Sequence, residues 1–142
     1  MTAYWIGVAS REHVQRGVAS GFCQLCHGNA ATLRRLKPGD RIVYYSPRIG
    51  MRRGEPVQAF TAIGEIAEGD SERVDIGDGF VPYRRCVIFY RSSAAAIQPL
   101  LPVLSFTRRL TNWGLVFRRG AFSMDRADYE TIAHAMGVGP RR

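Results

Sequence analysis

The sequence has few cysteines, a single lysine and no long apolar run, and each scarcity excludes a class of protein. Three cysteines in 142 residues are too few for a disulfide-rich scaffold. No stretch approaches the roughly 18 consecutive apolar residues that a membrane-spanning helix requires. The opening residues, Met1–Trp5, have neither the basic nor the apolar region of a secretory signal. We therefore expect a cytoplasmic protein with reduced cysteines and no membrane association.

Length and composition indicate a single globular domain over residues 1–142. A chain of this size buries roughly 68–70% of its unfolded surface, so its core needs no metal or disulfide. The hydrophobic fraction of 46% is ordinary for such a domain. We expect residues 137–142 to form a loose tail.

The positive charge is carried almost entirely by arginine. The formal net charge is +8, and Lys37 is the only lysine among 20 basic residues. A guanidinium binds phosphate through two parallel hydrogen bonds and stacks on rings, which an ammonium does not do. A polyanionic partner is the natural explanation of this charge. Charge that serves solubility alone is the alternative.

Hydrophobic periodicity predicts mostly strands with a few helices. The predicted strands are residues 4–9, 41–46, 57–66, 73–76, 80–90 and 113–118. The predicted helices are residues 10–20, 29–36, 93–98 and 123–136, and residues 48–55 are expected to form a basic loop. The order lacks regular βαβ alternation, so we predict an α+β fold, a curved sheet or small barrel with helices outside. On the first strand Trp5 shares a face with Gly7, which leaves space beside its ring.

The segment Cys23-Gln24-Leu25-Cys26-His27 matches the C-x-x-C-H signature of c-type haem attachment. Haem attachment of this kind requires export, for which the sequence has no signal. A zinc site needs four ligands, and no second C-x-x-C pair is present. The pair also does not open a helix of a βαβ unit, as a thioredoxin-like redox motif does. We expect two small, partly buried cysteines, with no metal and no cofactor.

Motifs of the common enzyme classes are absent from the sequence. It contains no G-x-S-x-G, no H-E-x-x-H, no Walker loop and no G-x-G-x-x-G. We therefore expect no catalytic activity. An enzyme acting on a base or nucleotide, with Cys26 and His27 as its reactive pair, is the alternative.

Arginine pairs beside aromatic residues are the remaining feature. They are Arg34-Arg35, Arg52-Arg53, Tyr83-Arg84-Arg85, Arg108-Arg109 and Phe117-Arg118-Arg119. Nucleic-acid grooves combine basic residues for phosphates with aromatic platforms for bases. Each pair alone is weak evidence, because arginine often covers apolar surface with its stem. Five pairs together favour a nucleic-acid-binding surface.

Several short motifs occur in an order typical of one known family. They are Tyr4-Trp5-Ile6-Gly7-Val8-Ala9-Ser10, Gly21-Phe22, Cys26-His27-Gly28, Leu36-Lys37-Pro38-Gly39-Asp40, Tyr44-Tyr45-Ser46-Pro47, Gln58-Ala59-Phe60-Thr61-Ala62-Ile63-Gly64, Pro82-Tyr83-Arg84-Arg85, Leu104-Ser105-Phe106 and Asn112-Trp113-Gly114. From residue 3 to residue 136 the chain resembles the EVE-domain family. That family belongs to the PUA-like superfamily and is related to YTH domains, which hold a methylated adenine in an aromatic cage. The resemblance implies a curved mixed sheet, or pseudobarrel, flanked by helices.

The resemblance also implies a ligand pocket on this fold. Its predicted residues are Trp5, Ser10, Phe22, Tyr45, Ser46, Pro47, Gln58, Phe60, Asn112 and Trp113. Among them we expect Trp5, Tyr45 and Trp113 to stack on a base, and the polar side chains to bind its edge. The predicted phosphate-binding residues are Arg52, Arg53, Arg84, Arg85 and Arg118. Plain core packing is the alternative for both tryptophans.

The predicted function is that of a non-enzymatic module that holds a flipped base of DNA or RNA, either modified or unmodified. Flipping a base out of a duplex costs a few kcal/mol. Stacking returns roughly 1–3 kcal/mol per base, so phosphate contacts must supply the affinity, which then falls with salt. A protein-interaction domain for an acidic partner is a further alternative.

Overall fold

The computed structural model describes residues 2–23, 34–50, 53–69, 72–73 and 83–139, and of residues 22–23, 53, 72–73 and 83–84 it describes the backbone only. The strands are β1 (Tyr4–Val8), β2 (Phe22–Cys23), β3 (Arg41–Gly50), β4 (Arg53–Ile66), β5 (Glu72–Arg73), β6 (Tyr83–Phe89), β7 (Ala95–Ala96) and β8 (Ala121–Met124). The α-helices are α1 (Arg11–Ser20) and α2 (Arg126–Ala135), and two 3-10 helices span Gln98–Leu100 and Trp113–Arg119. No helix in the described part of the chain has the length and apolar character needed to cross a membrane.

The strands form one mixed sheet, with the order β2-β6-β4-β3-β1-β8. β1 runs parallel to β3, with Tyr4 opposite Arg41, and antiparallel to β8. β3 and β4 form a long antiparallel hairpin whose register shifts at three points. Such irregularities bend a sheet. Over the described residues the sheet stays open, and the fold is α+β: a curved mixed sheet flanked by helices, as predicted.

The sheet is covered on both faces, and each face has its own hydrophobic core. The α2 core includes Ile6, Val43, Tyr45, Phe60, Ile63, Leu104, Phe117, Phe122, Tyr129 and Ile132. The α1 core consists of Trp5, Val14, Leu36, Ile42, Tyr44, Ala62, Ile66 and Val87. Neighbouring residues of β1 alternate between the two cores because side chains point to opposite faces along a strand.

Local signals placed α1 correctly. The hydroxyl of Ser10 accepts a hydrogen bond from the backbone N–H of His13 at 3.3 Å, and the helix ends at Gly21. Both boundaries match the prediction. They depend on residues adjacent in the chain, which sequence patterns report well.

The prediction for residues 113–118 was wrong, because these residues form a 3-10 helix rather than a strand. The edge strand at this end of the open sheet is β8, which pairs with β1. The predicted helix over residues 123–136 consequently begins three residues later, at Arg126. The carboxylate of Asp125 caps it by accepting from the N–H of Asp128 at 2.8 Å.

Other predicted boundaries also moved. The predicted helix over residues 93–98 is instead the short strand β7, paired with β4, followed by a 3-10 turn. The predicted strand 41–46 continues to Gly50, and Pro47 is accommodated where the β3–β4 register shifts. Most of the predicted basic loop therefore belongs to the hairpin. The described parts of the strands predicted at residues 73–76 and 80–90 are β5 and β6, and most of the predicted helix 29–36 lies outside the described residues.

The start of the predicted loose tail is fixed to α2. The N–H of Gly137 donates to the carbonyl of His134 at 3.0 Å, and the N–H of Val138 donates to that of Ala133 at 2.8 Å. Gly137 has a φ of 79°, in the left-handed region that glycine adopts without strain. This pair of bonds is the Schellman arrangement that ends many helices. Residues 137–139 therefore fold back along α2, and residues 140–142 lie outside the described part.

Candidate functional site

A depression that is open to solvent surrounds Trp113 at the surface of the α2 core. It has a volume of about 540 Å³, and its lining residues are Thr111, Asn112, Trp113, Gly114, Leu115 and Arg118. All six belong to the 3-10 helix Trp113–Arg119 or to the turn before it. We call this feature the Trp113 depression.

A column of three buried aromatic rings connects Trp113 to the interior of the α2 core. The indole of Trp113 meets Phe117 edge to face at 6.2 Å between centroids, and Phe117 stacks on Tyr45 at 4.0 Å. Tyr45 in turn meets Phe60 at 5.6 Å. Trp113 itself is half-buried, whereas the three rings below it are buried. The column therefore holds the indole in place and leaves part of it open to a ligand.

The column explains where two predicted site residues lie. Tyr45 and Phe60 are 2% and 0% exposed, so they support the depression from within and have no free face for a base. Burial raises the pKa of Tyr45 to about 12. Phe117, which joins Tyr45 to Trp113, was missed because the 3-10 helix was predicted as a strand. The position of Phe117 between Val116 and Arg118 in the sequence did not indicate that its ring contacts Tyr45 and Trp113.

Buried polar contacts anchor the loop that leads into Trp113. The carboxylate of Asp128, 4% exposed, accepts a hydrogen bond from the N–H of Ser105 at 3.0 Å and a second, short one from the Ser105 hydroxyl. The hydroxyl of Thr107 donates to the carbonyl of Leu101 at 2.9 Å. These bonds tie residues 101–107 to α2 and to the core. The depression is thus built on fixed elements rather than on a free loop.

Two polar side chains and one apolar side chain complete the depression. Asn112 is exposed, and its amide makes no capping hydrogen bond to the 3-10 helix that follows. Arg118 is exposed on the same helix, and Leu115 is 50% exposed. The depression therefore presents a ring, an amide with both donor and acceptor, and a cation. Those are the groups that single-stranded nucleic-acid sites use for stacking, base-edge contact and phosphate contact.

Trp5 lies on the opposite face of the sheet from Trp113. Its side chain is 6% exposed within the α1 core, and its Nε1 donates to the carboxylate of Asp40 at 3.1 Å. The guanidinium of Arg35 lies 4.9 Å from the centre of its ring. Among the described residues, the α1 core and the guanidinium of Arg35 surround this ring. This environment matches the core-packing alternative, and the structure does not bring the two tryptophans into one pocket.

The predicted polar residues other than Asn112 do not line the depression either. The hydroxyl of Ser10 is used in capping α1. Ser46 is fully buried, and its hydroxyl lies 2.7 Å from that of Thr61. Gln58 is exposed with a φ of 48°, and its amide oxygen accepts from Gln98 at 3.4 Å. Pro47 is exposed in β3, and Phe22 belongs to β2, with its side chain outside the described set.

The predicted phosphate-binding arginines fall into three groups. Arg118 is exposed beside Trp113. Arg85 is 4% exposed and donates to the carbonyl of Ala67 at 3.3 Å, so the exposed role predicted for it does not match its burial. Arg53 and Arg84 are placed in β4 and β6 by their backbones only, and Arg52 lies outside the described residues, as do Cys26 and His27.

Comparison with known proteins identifies the family. The sequence profile of the EVE domain matches residues 3–135. A UPF0310 protein of Mesorhizobium japonicum is 48% identical over 140 residues, covering 97% of this chain and 94% of that protein. The UPF0310 protein YdcG of Bacillus subtilis is 41% identical over 137 residues, covering 96% and 94% of the two chains.

Solved structures share the fold at low sequence identity. A crystal structure of an Agrobacterium tumefaciens protein matches with a TM-score of 0.60 and 12% identity, covering 99% of this chain and 97% of that one. The YTH domain of the Zygosaccharomyces rouxii MRB1 protein, solved in complex with N6-methyladenosine RNA, matches with a TM-score of 0.58 and 14% identity. That match covers 94% of this chain and 85% of the YTH chain.

Proposed function

The chain belongs to the EVE-domain family, and we propose that it is a non-catalytic nucleic-acid-binding module that stacks an unpaired base on Trp113. The observation that carries this proposal is the partly exposed indole, held by a buried column of rings, with the free amide of Asn112 and the exposed Arg118 beside it. In this arrangement the ring stacks on the base, the amide meets the base edge, and the guanidinium contacts a neighbouring phosphate.

Two further observations support a nucleic-acid ligand. The formal net charge of +8 favours association with a polyanion. The YTH domain of similar fold was solved with an RNA that contains N6-methyladenosine, and we extend base binding to this chain by that likeness. A methyl group on the base would add apolar contact with the exposed part of Leu115 and the indole, which favours a modified base as the ligand.

The energetics predict weak, salt-sensitive binding. Removing a base from a duplex costs a few kcal/mol, and stacking on one indole returns roughly 1–3 kcal/mol. The depression is open, so single-stranded or already unpaired nucleic acid is the better substrate. Phosphate contacts by arginine must supply the rest of the affinity, and each such contact steepens the salt dependence.

The test uses fluorescently labelled single-stranded oligonucleotides of RNA and DNA, followed by anisotropy at low and moderate salt. Matched sets carry either unmodified bases or methylated adenine, methylated cytosine and hydroxymethylated cytosine. We expect Trp113→Ala to weaken binding by roughly 5- to 150-fold, the equivalent of one stacked base. Arg118→Ala should reduce the slope of log affinity against log salt by about one.

The matched control is Arg16→Ala, an equal change of charge on an exposed residue of α1, on the opposite face of the sheet. In a Trp5→Phe background Trp113 is the only tryptophan, so quenching of its emission, excited selectively over the six tyrosines, reports contact at the depression itself. Equal losses in Arg118→Ala and Arg16→Ala would indicate only diffuse electrostatic attraction. Binding that survives Trp113→Ala unchanged would refute the proposed site.

The other two functions make different predictions. A base-acting enzyme that uses Cys26 and His27 would turn over its substrate and lose that activity in Cys26→Ala. A protein-interaction domain would bind an acidic partner in preference to oligonucleotides, and nuclease treatment of the purified protein would not change its absorbance ratio. The geometry at Trp113 favours neither of them.

A further inference from the structure

A second hollow lies between the starts of β1 and β3 and one face of α2. Its volume is about 500 Å³, within the range of roughly 300–1,000 Å³ typical of small-molecule sites. Among the described residues, none lines both this hollow and the Trp113 depression. We call it the α2 cavity.

One wall of the α2 cavity is aromatic and apolar. Tyr4 of β1 and Tyr129 of α2 contribute rings whose centroids lie 4.9 Å apart at an angle of 38°. Ala133 and Val138 extend this wall along the helix. Tyr129 and Ala133 are buried in the core, whereas Tyr4 and Val138 are half-buried and face the hollow. A flat, apolar group would bury surface against this wall.

The rim of the α2 cavity carries an excess of positive charge. Arg41 comes from β3 and Arg126 from the first turn of α2, and Glu130 is the only carboxylate among the described residues that line the cavity. Glu130 is engaged already, since one of its oxygens accepts from Nε of Arg126 at 2.7 Å. A guanidinium has five N–H donors, so the terminal ones of Arg126 remain for another acceptor. Two arginines against one paired carboxylate favour a carboxylate or phosphate ligand.

Two other charged or polar groups border this rim. Glu65 stands opposite Arg41 on β4, and its carboxylate accepts from the hydroxyl of Tyr90 at 3.0 Å. The imidazole of His134 lies on the rim and adds a ring nitrogen that can donate to an anion. Glu65 is not part of the cavity lining, so it reduces the positive potential without occupying the site.

The walls of the α2 cavity are held in place before any ligand binds. The Asp125 cap and the Asp128–Ser105 bonds fix α2, and the two bonds at Gly137 fold Val138 back over the hollow. A rigid site has little to order when its ligand arrives, so less of the interaction energy is lost.

We propose that the α2 cavity binds a small anion that carries a flat ring, with the ring against Tyr4 and Tyr129 and the carboxylate or phosphate between Arg41 and Arg126. Aromatic carboxylates and mononucleotides share this chemistry. Trp113 is not part of this site, so a test of the α2 cavity can fail or succeed without affecting the proposed nucleic-acid function.

Isothermal titration of the whole protein with four probes tests the site. The probes are indole-3-acetate, adenosine 5′-monophosphate, adenosine and inorganic phosphate. We expect a dissociation constant below about 1 mM for at least one of the first two, and much weaker binding of adenosine and phosphate, which each lack one of the required groups. The stronger of the first two identifies whether the anion is a carboxylate or a nucleotide phosphate.

Variants locate the binding. Arg126→Glu places two carboxylates together at the rim and should weaken the better probe by at least about tenfold. Val138→Trp, which fills the hollow from the helix end, should abolish binding. Arg16→Glu makes the same charge change on α1 and should leave affinity unchanged, as should Trp113→Ala. In labelled protein, the amide resonances of Val138 and Gly139 should shift on titration.

Three outcomes would overturn the proposal. The first is the absence of saturable binding by either ring-bearing anion. The second is equal affinity for adenosine or inorganic phosphate, because the combined ring and anion would then not be recognised. The third is binding that is lost in Trp113→Ala and retained in Arg126→Glu, which would place the ligand in the Trp113 depression.

Discussion

The carboxylate of Asp40 joins the start of the chain to the turn that precedes β3, and its removal should be strongly destabilising. Asp40 is 1% exposed and accepts three hydrogen bonds: from the N–H of Ala3 at 3.0 Å, from Nε1 of Trp5 at 3.1 Å and from the N–H of Lys37 at 3.0 Å. It therefore connects the first strand to the turn that precedes β3, and it satisfies the polar edge of a buried indole.

The expected cost follows from the donors left behind by Asp40→Ala. A buried donor without an acceptor costs about 1–3 kcal/mol, and hydrogen bonds to a charged group contribute about 1.5–3 kcal/mol. The indole N–H of Trp5 is buried and should lose the full amount, whereas water can replace part of the bonds to Ala3 and Lys37. We expect a total loss of about 3–5 kcal/mol. That is a large share of the 5–15 kcal/mol that stabilises a typical domain.

Urea unfolding followed by far-ultraviolet circular dichroism measures this loss, provided the m-value is unchanged. Glu68→Ala removes an exposed acid from the turn after β4 and should change stability by less than about 0.5 kcal/mol. Trp5→Phe, alone and combined with a change at Asp40, completes a cycle in which we expect a coupling of about 1–3 kcal/mol. A loss below about 1 kcal/mol for Asp40→Ala, or a coupling near zero, would refute this account of Trp5 as a structural residue.

Three further predictions follow from the same contacts. Gly64→Ala should unfold or severely destabilise the protein, because a Cβ at this position would overlap the carbonyl oxygen of Ile88 and lie 2.9 Å from Cα of Phe89 in β6. Gly114→Ala, whose Cβ meets open space, is the control, and a folded Gly64→Ala protein of unchanged stability would contradict the close approach. Ser105→Ala should cost about 1–3 kcal/mol in urea unfolding by removing the hydroxyl donor to Asp128, and it should weaken oligonucleotide binding if this anchor positions Trp113. Burial raises the pKa of Tyr45 from 10.0 to about 12, so the unfolded chain loses this proton at a lower pH than the folded chain does. The contribution of Tyr45 to the free energy of unfolding should be fully present below pH 10 and fall as the pH rises toward 12. A free energy of unfolding that stays constant over that range would contradict the burial.

Local sequence patterns were sufficient for features whose causes lie within a few residues. The alternation of β1 residues between the two cores, the Ser10 cap and the Gly21 end of α1 all agree with the structure. The ordered motifs indicated the fold class through the resemblance to the EVE-domain family, which the family match over residues 3–135 confirms. Where local signals were mixed, as over residues 113–118, a strand and a 3-10 helix could not be distinguished.

The candidate sites depended on contacts between distant parts of the chain. Trp5 and Trp113 appear equivalent in the sequence, yet the first is hydrogen-bonded to Asp40 in one core and the second is partly exposed beside the other. Arg85 and Arg118 each belong to an arginine–aromatic group, yet only Arg118 is exposed. The sequence by itself determined which residues were available for binding: the rings, the amide and the arginines. The tertiary structure alone decided which of them a ligand can reach, because burial depends on which elements pack over a residue and not on its neighbours in the chain.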